Sequence, residues 1–202
     1  MTCVGSDTIF RFENNIDTNI CKIITNFVEK RKLSFNKSNN VSKLPWFEED
    51  TIPFNNINDE NISQIIVHCK KKITKLLNKN YNNIFPNLYP HFTDLVLWRE
   101  GKKMNRHKDD GYGNQNHLNP RKVTTVTYLN DDYIGGETFI TDGPNQDYIS
   151  VPKIGTTVSF LSNEKNTHGV NEIIKGNRIV MSIWFTDDIK YAEKNFYKKG
   201  IL

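Results

Sequence analysis

The chain has 202 residues, 37% of them hydrophobic and 11% aromatic, and a formal net charge of +4. That length suits one domain with a real core, and so small a charge gives no reason to expect a nucleic acid or a membrane surface as partner. The cysteines, Cys3, Cys21 and Cys69, are odd in number, widely spaced and free of any C-x-x-C pattern, which excludes a disulfide framework and a zinc knuckle.

Met1 to Ser6 has no apolar stretch of the signal-peptide kind, and no run approaches membrane-spanning length. A soluble protein of a reducing, cytoplasmic compartment is expected, the host-cell cytoplasm if the source is a virus. The abundance of Asn, Lys and Ile reads as AT-rich coding and carries no functional weight.

Taken in order, Thr8 to Glu13 reads as a first strand. Asp17 or Thr18 then caps a helix with Ile20, Ile23, Ile24, Phe27 and Val28 on one stripe. Residues 34–58 are polar and broken by Pro45 and Pro53, so they read as a long loop, with Leu44-Pro45-Trp46-Phe47 packing on the core or framing a substrate. A second helix runs from about Asp59 to Asn78, its apolar side formed by Ile62, Ile65, Ile66, Cys69, Ile73, Leu76 and Leu77. On it, Lys70-Lys71-Lys72 reads as a solvated face and His68 as a surface or packed histidine. Residues 80–90 form a connector, and His91 and His117 read as exposed loop residues.

From Thr93 onward the pattern becomes short β segments: 93–98, 123–129, 136–140, 147–151, 156–161, 168–173 and 178–186. Helices followed by such strands suggest a β-sandwich or closed barrel buttressed on one face. The tail, 188–202, reads as a terminal helix.

The chemistry sits in this second half. Residues i and i+2 of an extended chain share a face, so His107 and Asp109 can stand side by side. With His168 they make two imidazoles and one carboxylate, the facial set of non-haem Fe(II) oxygenases, which leaves three positions on the ion open. Such a site uses a 2-oxo acid as co-substrate, whose far carboxylate needs a fixed cation. Arg178, in line with Val180, Ser182 and Trp184, supplies a guanidinium fork, and Tyr128 offers a hydroxyl to the same carboxylate. The loop 110–122, rich in Gly and Asn, is a candidate lid.

The segment from Trp98 to Asp187 resembles the 2-oxoglutarate and Fe(II)-dependent dioxygenases of the prolyl 4-hydroxylase type, with oxygen-sensing and microbial or viral members. The matching pieces are Gly101, His107-Lys108-Asp109, Tyr128-Leu129-Asn130, Gly135-Gly136-Glu137-Thr138-Phe139, His168-Gly169-Val170, and Arg178 through Trp184-Phe185. The resemblance implies a mainly β fold with flanking helices, a double-stranded β-helix or jelly roll. Across residues 1–202 it implies one dioxygenase domain: 1–90 as helical support and substrate-side loop, 91–187 as catalytic core, and 188–202 as tail helix. It implies iron on His107, Asp109 and His168, with no catalytic residue beyond the metal centre. It places 2-oxoglutarate on Arg178, Tyr128, Trp98 and Trp184, and the substrate side at Trp46, Tyr112 and Arg121. Trp98 stands where relatives carry Tyr, and Trp184 stands where nucleic-acid demethylating relatives carry a second Arg.

The implied activity is hydroxylation of a C–H bond, with a prolyl residue in a peptide or protein as leading substrate. Fe(II), 2-oxoglutarate and O2 are consumed or used, ascorbate is a candidate reductant, and succinate and CO2 are released. The alternatives are a hydroxylase of a free amino acid or other small molecule and, from another class, a silent jelly-roll binding module. A cupin of the sugar-binding or isomerase kind would need His-x-His with a nearby Glu, which is absent. Oligomeric state and source are not readable from these residues.

Overall fold

The structure is a computed structural model that describes residues 2–3, 7–35, 50–110 and 120–194. After β1 (Thr2–Cys3) and β2 (Phe10–Phe12) comes α1 (Thr18–Phe35), then β3 (Thr51–Pro53), a 3-10 turn (Phe54–Asn56) and α2 (Glu60–Asn80). The second half holds β4 (Tyr89–Arg99), β5 (Met104–His107), β6 (Val123–Tyr128), β7 (Ile134–Gly135), β8 (Thr138–Thr141) and β9 (Asp147–Ser150). It ends with β10 (Thr157–Leu161), β11 (His168–Val170), β12 (Ile173–Lys175) and β13 (Asn177–Thr186).

The strands form a seven-stranded sheet in the order β1-β2-β10-β6-β13-β4-β3, a four-stranded sheet β5-β11-β8-β9, and the pair β12-β7. This is the expected double-stranded β-helix, with every pairing antiparallel. Period-two alternation on the large sheet produces two cores. Leu95, Leu97, Ile179, Met181, Ile183 and Phe185 pack outward against the helices. Val96, Trp98, Val126, Tyr128, Phe160 and Val180 face inward between the sheets.

The helices lie on the outer face because each has one apolar side. In α2, the Asp59 side chain accepts from the Ile62 amide as an N-cap, and Ile62, Ile66, Cys69, Ile73 and Leu77 are buried. In α1, Asp17 accepts from the Asn19 amide, and Cys21, Ile24 and Val28 are buried. Ile23, expected on that stripe, is 44% exposed instead; Cys21 takes the inward place. No helix among the described residues is long and apolar enough to cross a membrane.

Several local expectations are corrected. Lys70 is fully buried and pairs with Glu193, so the lysine run is not wholly a solvated face. The stretch expected as loop contains β3, which pairs with β4 at the sheet edge, while residues 36–49 lie outside the described residues. His91 is half-buried within β4 rather than in an exposed connector. Pro90 is tolerated there because β3 ends opposite Asp94, leaving one side of β4 with no ladder to feed. The tail begins as a single 3-10 turn, Ile189–Tyr191, not as an α-helix. Ala192 is extended, and the Glu193 amide donates to the Pro90 carbonyl; the rest of the expected tail helix, 195–202, lies outside the described residues.

Candidate metal centre

The β5–β11 ladder makes His107 and His168 Cα partners, and their ring centroids are 4.3 Å apart. Asp109 joins them by another route than the expected one. β5 ends at His107, so strand periodicity does not align the pair. Instead the chain bends, and the amides of Asp109 and Asp110 both donate to the Ser162 carbonyl, at 2.8 and 3.0 Å. That turns the Asp109 carboxylate between the imidazoles, with Oδ1 3.5 Å from His107 Nε2 and Oδ2 3.4 Å from His168 Nε2. One ligand atom from each residue lies within 4.8 Å of the other two.

The surroundings prepare these groups for an ion. His107 Nδ1 lies 2.9 Å from the Asn105 carbonyl and His168 Nδ1 3.3 Å from the Asn166 carbonyl. A carbonyl only accepts, so the neutral form of each ring keeps its proton on Nδ1 and leaves Nε2 to bind an ion. The Thr124 hydroxyl donates to Asp109 Oδ2 at 2.7 Å and lies 2.9 Å from Ser162 Oγ. Burial pushes the Asp109 carboxyl up, but His168 and His107 outweigh it and hold the group well below the usual carboxylate range. Burial would lower His107, and Asp109 reverses that, leaving the imidazole raised. Two imidazole nitrogens and one carboxylate fit a divalent iron with open positions.

Arg178 stands at the start of β13 beside Trp98 and Tyr128 of the inner face and is 1% exposed. One guanidinium nitrogen donates to Thr138 Oγ1 at 3.0 Å, while its Nε has no hydrogen-bond partner among the described residues. Its carbon sits 5.5 Å from the Trp98 ring centre and 5.4 Å from that of Tyr128, a cation held between aromatic faces. The Tyr128 hydroxyl lies 2.9 Å from Thr138 Oγ1 and 3.0 Å from the Ser150 carbonyl. A buried guanidinium with no carboxylate partner among the described residues fits the far end of a dicarboxylate co-substrate.

Trp184, expected beside 2-oxoglutarate, is six residues further along β13 than Arg178, across the ladder from Thr124 on the metal side. It lies with Arg121, whose guanidinium is 4.3 Å from its ring centre, and with Phe92, at 6.0 Å between ring centres. Arg121 is half-buried. Trp46 and Tyr112, and the candidate lid over 111–119, lie outside the described residues. Sequence reasoning missed Thr124, Ser162 and Thr138 as supports, and Asp94 altogether. Asp94 left a signal, a charged residue at inward parity in the apolar run before Trp98.

Comparison with known proteins gives the arrangement a place. The 2OG-Fe(II) oxygenase superfamily profile matches residues 86–186. Human prolyl 3-hydroxylase 2 is 39% identical over 75 residues, 36% of this chain but 11% of that protein, so the chain matches about a tenth of its curated relative's length. The Pseudomonas putida prolyl-4-hydroxylase structure superposes with a TM-score of 0.68 at 17% identity, covering 90% of this chain and 93% of that one. A Trichoplax adhaerens prolyl hydroxylase, solved with a hypoxia inducible factor peptide fragment, gives 0.68 at 18% identity, covering 90% and 84%. The profile spans half of the chain and includes all three clustered ligands and Arg178, and the chain belongs to the 2OG-Fe(II) oxygenase superfamily.

Proposed function

We propose that this chain hydroxylates a prolyl residue in a peptide or protein, using Fe(II), 2-oxoglutarate and O2 and releasing succinate and CO2. The observation that carries the reading is the His107, Asp109 and His168 cluster, together with the buried Arg178, which has no carboxylate partner among the described residues. The prolyl choice is supported by the relatives, prolyl 3- and 4-hydroxylases among them. The whole chain acts as one such domain.

His107, Asp109 and His168 would hold the iron, with Thr124 and Ser162 fixing the Asp109 carboxylate. Arg178 would grip the far carboxylate of 2-oxoglutarate, with Thr138, Tyr128 and Trp98 forming the walls. Trp184 and Arg121, on the Thr124 side, would line the substrate approach. When bound, iron and 2-oxoglutarate supply the oxidising power that puts one oxygen atom of O2 into the substrate and the other into succinate. The protein positions the partners and keeps the pocket dry. Ascorbate would serve as reductant. The free, buried thiols Cys21 and Cys69 fit a reducing compartment such as the cytoplasm, and no nucleic-acid or membrane partner is proposed.

The test is a panel of proline-containing peptides and free proline, incubated with the iron-loaded protein and 2-oxoglutarate and read by mass spectrometry. A gain of one oxygen on a prolyl residue, absent with His168→Ala, is the expected result. Oxygen gained only by free proline would replace the peptide reading with the small-molecule one. Retention of iron and 2-oxoglutarate with no product from any proline substrate would remove the prolyl assignment.

A further inference from the structure

The hydroxyl groups around Arg178 differ in whether their proton is already taken. A carboxylate has about four lone-pair sites, so a guanidinium alone leaves part of it unsatisfied. The family resemblance assigns a second donor to Tyr128. That hydroxyl has one proton and two protein acceptors, Thr138 Oγ1 at 2.9 Å and the Ser150 carbonyl at 3.0 Å. The β8–β9 ladder makes Thr138 and Ser150 Cα partners and holds both acceptors in place. The Tyr128 hydroxyl therefore serves the sheet, while its ring serves Arg178.

Tyr133, in the connection between β6 and β7, is different. Its ring is half-buried, and its hydroxyl is buried with no hydrogen-bond partner among the described residues. Gly136 brings this side chain to Arg178. With a φ of 69° and no side chain, it leaves a point where a Cβ would lie 3.0 Å from Arg178 Cδ and 3.1 Å from Tyr133 Cε2. Burial pushes the Tyr133 phenol up; the Arg178 charge is the largest influence opposing it, and Tyr128 adds to the rise. The three groups are neighbours, yet Arg178 Nε and the Tyr133 hydroxyl both lack a hydrogen-bond partner among the described residues. A phenol oxygen can accept from the guanidinium and still give its own proton away. Buried polar groups are normally satisfied, so an open donor beside a guanidinium marks a place for an anion.

We propose that Tyr133 donates its hydroxyl to the far carboxylate of the 2-oxo acid, beside Arg178, and so sets the preference of the pocket for a dicarboxylate. The inference rests on the co-substrate reading above and moves one of its contacts from Tyr128 to Tyr133. A 2-oxo acid ending in a methyl group offers iron the same two oxygens but leaves Arg178 and Tyr133 both unpaired, and unpaired buried donors discriminate strongly.

The experiment titrates the iron-loaded protein under anaerobic conditions with 2-oxoglutarate and with 2-oxopentanoate, its counterpart ending in a methyl group, and follows the visible charge-transfer band. Wild type, Tyr133→Phe and Tyr128→Phe are compared after circular dichroism shows each to be folded. Tyr133→Phe keeps the ring that packs on Gly136 and removes only the hydroxyl. It should raise the Kd for 2-oxoglutarate about tenfold, the scale of one hydrogen bond to a charged group, and leave that for 2-oxopentanoate unchanged. The preference for the dicarboxylate should fall less in Tyr128→Phe than in Tyr133→Phe. The proposal is overturned if Tyr133→Phe binds 2-oxoglutarate as wild type does, if it weakens both acids alike, as a packing role would, or if Tyr128→Phe is the variant that loses the preference. Wild type that binds iron and shows no band with 2-oxoglutarate would remove the co-substrate reading itself, and the role of Tyr133 with it.

Discussion

His107 and His168 stand as Cα partners across β5 and β11, and the ladder between them shifts register before reaching the Val170–Met104 pair. The shift sits at Gly169, where the strands come too close for a side chain. A Cβ there would lie 2.5 Å from the Met104 carbonyl oxygen and 2.3 Å from the Phe139 ring edge. Gly169→Ala should push β5 away from β11 and separate the two imidazoles. The expected loss is about 1–3 kcal/mol of stability by overpacking, with iron affinity falling more than stability alone explains. Thermal unfolding of the metal-free protein beside an anaerobic iron titration checks both.

Thr124 acts on the metal through Asp109. Its hydroxyl is the side-chain donor to Oδ2 and is itself backed by Ser162 Oγ. Thr124→Val keeps the shape and removes the donor, and support of this kind is typically worth 10- to 100-fold, so an affinity loss of about that size is expected. Thr124→Ser should restore most of it. Competition of each variant against a metal-chelating dye reads the difference.

Lys70 and Glu193 form a buried pair joining α2 to the C-terminal segment, and Thr93 adds a hydrogen bond to the same carboxylate oxygen at 3.1 Å. Burial lowers the lysine, and Glu193 only partly restores it. Removing one partner strands a charge, so Lys70→Met or Glu193→Leu should each cost about 3–5 kcal/mol. The double variant should recover a large part of that loss. Chemical denaturation of the three variants gives the coupling directly.

Asp94 should make the protein less stable as pH rises. Burial lifts its carboxyl from 3.8 to about 7, with Arg121 pulling it down and Glu193 pushing it further up. Because the folded value is the higher one, the folded state binds the extra proton, and stability declines from about pH 4 to about pH 7. A carboxyl moved from 3.8 to about 7 carries a penalty of at most about 4 kcal/mol. Asp94→Asn should therefore raise the Tm at pH 8 and leave it close to wild type at pH 4. An equal Tm difference at both pH values would show that this carboxyl does not titrate in the window.

How far these features could be read from the chain depends on their range. The inward face of Arg178, Val180, Ser182 and Trp184 follows from strand alternation, a local property, and it holds in β13. The burial of Lys70 does not follow from its neighbours, because its partner lies far along the chain at Glu193. Asp109 is instructive in the same way. Its nearness to His107 looked like strand geometry, yet a bend held by the distant Ser162 carbonyl produces it. Asp94 was hidden by good company, one carboxylate in a run whose other residues fit a core strand.

The most direct test is anaerobic titration of the metal-free protein with Fe(II) and then 2-oxoglutarate, following the visible charge-transfer absorption of the chelate. Wild type should develop the band; His168→Ala should not. Arg178→Ala should need at least about tenfold more 2-oxoglutarate, since it loses a charge-assisted carboxylate contact. Wild-type protein that binds iron at this site and shows no band at saturating 2-oxoglutarate would contradict the assignment.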